Sequence, residues 1–397
     1  PTSYGDSPYQ SFSTYAGNPY FIDLDQLIEE KLLTRKECQT CDFGDDPQDI
    51  DYGKLYENRF KLLRKAYEKA NVGEDQEFEA YRRENAWWLD DYALFMAVKD
   101  RFDGVAWNEW AEDIRLRWSN AMDYYRRELY YEIEFYSYLQ FVFMKQWKKL
   151  KNYANINGIE IIGDIPIYVA FDSADAWANP ELFQFDAENL PTAVAGCPPD
   201  GFSADGQLWG NPLYRWDYHR ETGFDWWIRR IAYCSELYDV VRIDHFRGFD
   251  EYYAVPYGEK TAVHGKWMPG PGIELFRTLE EKIGRKRIIA EDLGFLTPSV
   301  IQLLKESGFP GMKVLEFAFD PREPSNYLPH NYTENCICYT GTHDNETLMQ
   351  FCENLSPESD AYAREYLGIG PDDDLPDAII DAGMQSKANL FVAQIQD

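Results

Sequence analysis

Three carboxylates stand where short apolar runs end. Asp244 lies in Val241-Arg242-Ile243-Asp244-His245-Phe246, Glu291 in Ile288-Ile289-Ala290-Glu291-Asp292-Leu293-Gly294, and Asp344 in Tyr339-Thr340-Gly341-Thr342-His343-Asp344-Asn345-Glu346. Each run begins with β-branched or apolar residues, the pattern of a buried parallel strand, and each carboxylate falls where that strand opens into a loop. Two carboxylic acids flanking an anomeric carbon, one as nucleophile and one as proton donor, carry out glycoside chemistry, and separate strands of a rigid barrel hold such a pair in place. Retention of anomeric configuration would set Asp244 and Glu291 across a gap of about 5 Å.

Each motif also has a purely structural reading. Residues two apart on a strand share a face, so Arg242 and Asp244 both point to the barrel mouth while Ile243 packs outward. A guanidinium beside Asp244 keeps it ionised, as a carboxylate nucleophile requires. The competing reading is a buried Arg242/Asp244 ion pair that only fastens the strand. Glu291 at a barrel mouth is partly desolvated, which raises its pKa and lets it keep a proton for the glycosidic oxygen. Alternatively, Glu291 and Asp292 cap the next helix. His343 and Asp344 offer polar groups to sugar hydroxyls, although an Asp before Asn345-Glu346 also suits a helix N-cap.

Strands and helices must alternate to hold these ends. A first buried strand is expected in Gly158 to Tyr168, followed by a long polar loop and a helix near Asp225 to Leu237. The Arg242 strand comes next, then a helix near Ile273 to Ile283 and the Glu291 strand. A helix opened by Thr297-Pro298 follows, then strands at Met312 to Phe319 and Cys336 to Thr340, a helix beginning near Asn345, and a last apolar run at Leu390 to Ile395. Six strands at this rhythm make a parallel sheet covered by helices. Residues 1–45, rich in Gly, Pro, Ser and Tyr, read as a barrel-mouth loop segment with a short helix near Asp25 to Lys31. Residues 46–126 read as a helical insertion, with apolar residues at helical spacing over Tyr52 to Ala70, Asp75 to Lys99 and Asn108 to Trp118. Residues 127–397 begin with a helix whose stripe holds Ile133, Tyr136, Leu139, Phe143, Trp147 and Leu150, and carry the barrel strands.

Composition narrows the chemistry further. With 397 residues and 45% hydrophobic content the chain buries a large core. A formal charge of −30 argues against nucleic acid, whose phosphates need clustered Lys and Arg. Aromatic residues make up 16% of the chain, and Trp and Tyr faces suit the apolar faces of sugar rings; surplus core aromatics are the plainer explanation. Seven cysteines without framework spacing read as reduced thiols. Cys38/Cys41 and Cys336/Cys338 would have to converge to bind zinc, and neither pair has a His nearby, so no metal or cofactor is expected. No run of 18 apolar residues and no charged-then-apolar leader occurs, so a cytoplasmic location away from membranes is expected.

Taken together the motifs resemble a known family. The runs Val241 to Phe249, Ile289 to Gly294 and Thr340 to Asn345, with Gly163 to Phe171 and the opening Gly5 to Pro19, look like the 4-alpha-glucanotransferases, also called amylomaltases or disproportionating enzymes, of glycoside hydrolase family 77. The loop Gly196-Cys197-Pro198-Pro199-Asp200-Gly201-Phe202-Ser203-Ala204-Asp205-Gly206-Gln207-Leu208-Trp209-Gly210-Asn211-Pro212 is the most specific part of the match. The resemblance spans nearly the whole chain. It implies an α/β fold, a (β/α)8 TIM barrel with helical and loop insertions. It also implies transfer of α-1,4-glucan segments between malto-oligosaccharides by a retaining double displacement, with glucose or malto-oligosaccharides as acceptors. By motif position, Asp244 would be the nucleophile, Glu291 the general acid/base and Asp344 the transition-state stabiliser. Arg242 and His343 would be subsite residues. Loop 196–212, with Asp205, Gln207, Trp209 and Asn211, would be a lid over the acceptor side, and Tyr9 would line the glucan groove, with Trp209 and Phe202 placed to stack on the incoming chain.

The chain opens at Pro1-Thr2-Ser3-Tyr4, where members of the family have already passed two barrel strands, and stops just after the last one. The expectation is therefore strands three to eight of a barrel incomplete at both ends. Two other readings compete with transfer. One is a catalytically impaired glucan-binding fragment. The other is an α-amylase-type hydrolase, disfavoured because Asp164-Ile165-Pro166-Ile167-Tyr168 lacks the His expected after the first barrel-mouth Asp.

Overall fold

The computed structural model describes residues 2–46, 48–201, 203–294 and 296–397. The chain forms two compact units, one comprising Pro1–Ile161, Tyr168–Asp239 and Tyr252–Met268, the other Ile162–Ile167, Val240–Glu251 and Pro269–Asp397. The strands in chain order are β1 (Ile162–Ile165), β2 (Ala193–Cys197), β3 (Gln207–Pro212), β4 (Val240–Ile243), β5 (Glu251–Pro256), β6 (Lys266–Pro269), β7 (Ile288–Ala290), β8 (Gly311–Val314), β9 (Cys336–Tyr339) and β10 (Leu390–Val392).

The second unit carries the α/β frame. Strands β1, β4 and β7 pair in parallel in that order, as do β8, β9 and β10. The Ala290 N–H donates to Pro310 O at 2.9 Å where β7 meets β8. The described residues thus supply the six parallel strands that the sequence pattern predicts. Strands β4, β7 and β9 are buried at every position, as expected of strands covered on both faces. Val240, Ile289, Met312, Val314, Ile337 and Tyr339 form one apolar cluster, and a second gathers Leu315, Phe319, Leu348, Leu375 and Ile379 beneath the C-terminal helices. The connecting helices begin where the chemistry allows. Thr297 accepts from the Val300 N–H, Pro298 takes the first helical position, and Gly308 at φ 67° ends Pro298–Ser307. Helices Pro357–Leu367 and Leu375–Met384 were not predicted.

The first unit is built on three long helices, Tyr52–Ala70, Gln76–Arg101 and Tyr130–Ile156. Asp75 caps the second by accepting from Glu77 and Phe78 N–H groups. Phe78, Leu89, Tyr92 and Phe95 from this helix and Phe135, Tyr138 and Leu139 from the third share one core. Gly17 sits against the third helix: Gln140 bonds both its N–H and its C=O, and a Cβ there would collide with the Phe143 ring. The predicted helix over Asn108 to Trp118 is not continuous. It is a 3₁₀ turn, Trp107–Glu109, and a single turn, Glu112–Arg115, because Trp107 and Trp110 are drawn into the core and Arg117 adopts a left-handed φ of 56°. The predicted polar loop after β1 also contains structure. Strands β3, β2, β5 and β6 form one sheet in which β2 pairs antiparallel with β3 and β5, so in segment 196–212 residues 196–197 end β2 and residues 207–212 are the whole of β3.

Candidate active site

The β1–β4 register sets Asp164 opposite Arg242, and this pairing organises the end of the sheet. Arg242 is buried, with Nη1 2.6 Å from Asp164 Oδ1 and 3.2 Å from Asp244 Oδ1, while Nε contacts Met312 Sδ at 3.3 Å. Burial disfavours its charge, but Asp164, Asp244 and Glu291 more than offset this and hold the guanidinium firmly protonated. Burial pushes Asp244 upward; Arg242 opposes the shift and Asp164 adds to it. The Asp244 side chain stays 30% exposed, so its carboxylate remains open to solvent beside the ion pair.

Glu291 follows the last paired residues of β4 and β7, Ile243 and Ala290, and so stands beside Asp244. Its Oε2 accepts the His245 N–H at 2.7 Å and its Oε1 the Leu293 N–H at 2.7 Å. Burial and the Asp244 charge raise its pKa to about 7, against the pull of those two N–H groups and Arg242. His245 reaches Glu291 from a left-handed φ of 53°, an uncommon conformation for a residue with a Cβ. The capping alternative does not hold. Thr297 caps the next helix, and Asp292 Oδ1 instead accepts the Met312 N–H at 2.7 Å.

Asp344 lies in an exposed loop, its side chain 76% accessible, with Oδ2 3.5 Å from His343 Nε2. It is not a helix cap either, since Thr347 caps Leu348–Asn354. The loop is braced from below. Asn345 Oδ1 accepts from the Thr342 N–H and Oγ1, and Gln394 Nε2 donates to Thr342 O at 3.0 Å and Glu346 O at 3.2 Å. The Asp344 charge is felt at Asp244, whose pKa it raises. Gly341 leaves room for this brace, because a Cβ there would meet Gln394 Nε2 at 2.5 Å and Glu316 Oε1 at 2.6 Å.

The remaining predicted residues belong to the other compact unit. On the β2–β3 hairpin Asp205 and Gln207 are exposed, and Trp209 is half-buried, its Nε1 donating to Gln207 Oε1 at 3.0 Å and its ring 6.3 Å from Tyr168. Asn211 is buried: its Nδ2 donates to Val169 O at 2.8 Å and its Oδ1 accepts from Gln10 Nε2 at 3.5 Å. Its amide therefore fastens the end of β3 instead of facing solvent. Tyr9 is half-buried in a turn where its N–H donates to Ser7 Oγ at 3.2 Å. Phe202 lies outside the described residues. Among those residues no group of three or more His, Cys, Asp or Glu is arranged to hold a metal, and no helix is long and apolar enough to cross a membrane.

Sequence reasoning missed Asp164, Glu316 and Gln394. Asp164 had a readable signal, since Ile161-Ile162-Gly163-Asp164 is another apolar run ending in a carboxylate.

A family profile described as 4-alpha-glucanotransferase matches residues 1–397. The chain belongs to the 4-alpha-glucanotransferase family. A 4-alpha-glucanotransferase of Clostridium butyricum is 49% identical over 398 residues, covering 100% of this chain and 82% of the relative. One from Thermus thermophilus is 45% identical over 408 residues, covering 100% of this chain and 81% of the relative. Among solved structures, an amylomaltase from Streptococcus agalactiae in complex with acarbose superposes with a TM-score of 0.96 at 44% identity, covering 100% of this chain and 81% of that one. An amylomaltase from Corynebacterium glutamicum shares the fold, with a TM-score of 0.76 at 20% identity over 97% of this chain and 59% of that one. The 4-alpha-glucanotransferase frame here is thus an α/β fold of the amylomaltase type, and the chain is an enzyme of glycosyl transfer on glucans.

Proposed function

We propose that the protein moves α-1,4-glucan segments between malto-oligosaccharides by a retaining double displacement centred on Asp244 and Glu291. One observation carries this reading. Glu291, its pKa raised to about 7, stands beside Asp244, which is ion-paired to Arg242, so one acid keeps a proton near neutrality while a cation favours charge on the other.

In the first step Asp244 Oδ attacks the anomeric carbon as Glu291 protonates the departing glycosidic oxygen, giving a covalent glucosyl-Asp244 and a shortened glucan. In the second, Glu291, now ionised, takes the proton of an acceptor hydroxyl, which attacks the anomeric carbon and releases Asp244. Arg242 orients Asp244 and limits its pKa rise. Asp344 and His343, both exposed on their loop, are proposed to bind ring hydroxyls in the transition state. Tyr9, Gln207, Trp209 and Asp205 are proposed glucan contacts, and Trp209 offers a ring face for stacking. Donors are malto-oligosaccharides or longer α-1,4-glucans, and acceptors are glucose or malto-oligosaccharides.

Maltotriose distinguishes transfer from hydrolysis. Transfer yields glucose together with oligomers longer than the starting sugar, with no net gain in reducing ends. Rising reducing ends without longer chains would make the protein a hydrolase, and binding without products would leave it a glucan-holding protein.

A further inference from the structure

Strand β8 reaches the flanks of both Asp244 and Glu291 through one residue. Met312 is buried, paired in register with Ile337 of β9. Its Sδ accepts the Arg242 Nε–H at 3.3 Å, and its own N–H donates to Asp292 Oδ1 at 2.7 Å. Arg242 in turn lies 3.2 Å from Asp244, and Asp292 follows Glu291 directly in the chain.

Each contact has a physical reason. Glu291 is bracketed by two ties to the β8 segment: the Ala290 N–H donates to Pro310 O at 2.9 Å on one side, and Asp292 accepts from Met312 on the other. A Cβ at Gly311 would come within 2.5 Å of Asp292 Oδ2, so a glycine before Met312 gives that buried carboxylate its room. At the other end of Met312 the acceptor is a thioether, which is neutral, polarisable and weak. The guanidinium already serves Asp164 and Asp244 through Nη1. Asp244 also feels Asp344 from the loop after β9 and acts on Glu291 after β7, while Lys313 of β8 acts on Asp292. A further carboxylate at Nε would draw the guanidinium's charge away from Asp244 and add repulsion. Sulfur orients the guanidinium plane without adding charge.

We propose that Met312 is a positioning residue of the transfer reaction: its thioether sets the plane of the guanidinium that orients Asp244, while its N–H fixes, through Asp292, the turn that carries Glu291. This rests on the reading of Asp244 and Glu291 as nucleophile and acid. Removing the sulfur would leave a buried Nε–H without an acceptor, a state relieved by turning the guanidinium. Nη1 would then keep Asp164, the closer partner at 2.6 Å, and release Asp244.

Met312→Leu, a volume-conserving exchange, tests this with maltotriose as both donor and acceptor. kcat should fall about tenfold with KM within about twofold of the parent, as expected of a misplaced nucleophile. The acidic limb of the kcat profile should move up by about half a pH unit, because Asp244 loses part of its cation. A merely structural role would lower Tm and leave that limb in place. Unchanged kcat and limb overturn the proposal, as does a lower Tm with parental kcat per folded molecule. Norleucine incorporation, which replaces sulfur by a methylene at all seven methionines, gives the same comparison without a branched side chain and should shift the limb likewise. Asp292→Ala should instead raise the alkaline limb, because the Leu293 N–H that holds Glu291 Oε1 is loosened. An unmoved alkaline limb overturns the Asp292 half of the linkage. Crystal structures of the parent and Met312→Leu need no turnover: Arg242 Nη1 should leave hydrogen-bond distance of Asp244, and a guanidinium that stays in place overturns the proposal. A parent that fails to lengthen maltotriose would refute the reading of Asp244 and Glu291, and the guanidinium's position would still decide what Met312 does.

Discussion

The His245 N–H donates to Glu291 Oε2 at 2.7 Å, so the backbone leaving the proposed nucleophile strand holds the proposed proton donor. The left-handed φ of 53° at His245 makes this contact possible, and it couples the positions of the two carboxylates through a single peptide unit. Replacing Asp244 with Asn leaves that backbone contact intact. Asp244→Asn should therefore keep its thermal transition close to the parent's while losing roughly 10⁴-fold or more in maltotriose turnover. Retained activity would remove Asp244 from the nucleophile's role.

Glu291 acts as an acid only while protonated, and its pKa is about 7. The rate of the first step should fall as pH rises above about 7, roughly tenfold per unit. Its acidic limb should reflect Asp244, whose ionised form is needed. Glu291→Gln should abolish the alkaline limb and spare donors with good leaving groups in the first step, because they need no proton. Equal loss on activated and natural donors would count against the acid assignment.

Glu316 predicts a stability effect. Its side chain is 9% exposed, Oε1 has no partner among the described residues, and burial with Asp397 and Glu346 nearby raises its pKa to about 7. A carboxyl whose folded pKa lies above its unfolded value stabilises fully below the unfolded value, and that contribution is lost as pH rises through about 7. Glu316→Gln should therefore narrow the drop in Tm between pH 5 and pH 8 by a few degrees, measured by calorimetry at both. An unchanged drop would show that Glu316 ionises freely in the fold.

Asp164 holds Arg242 at 2.6 Å, closer than Asp244 does at 3.2 Å. With Asp164→Asn the guanidinium should shift toward Asp244, and kcat should fall on the order of 10–100-fold with little change in KM, because a displacement of about 1 Å suffices for such losses. A rise in KM alone would place Asp164 among the binding groups.

Gln394 bridges Thr342 O and Glu346 O beneath Asp344. Gln394→Leu keeps side-chain bulk but removes both donors. It should reduce kcat about tenfold, and should cost almost nothing further in an Asp344→Asn background. Additive losses in the double variant would uncouple the brace from Asp344.

How much of this was legible in the sequence follows from the range of each interaction. Asp244, Glu291 and Asp344 could be read because apolar runs ending in a carboxylate are a local pattern, and alternation of such runs with helical stretches implies a parallel sheet. The helices Asp225–Leu237 and Ile273–Ile283 emerged within the same bounds because their apolar stripes are local as well, although neither start carries a side-chain cap. Partner choice is not local. That Arg242 divides itself between Asp164 and Asp244 depends on strand register, which joins residues 78 positions apart. That Asn211 turns inward depends on Val169, and that Trp107 and Trp110 break a helical pattern depends on a core assembled from distant helices. Composition and periodicity thus determined which residues could do chemistry and on which elements they ride. Only tertiary packing decided which carboxylates are desolvated, which cation they share and which amides are already engaged, because those properties belong to neighbours the chain brings together only by folding.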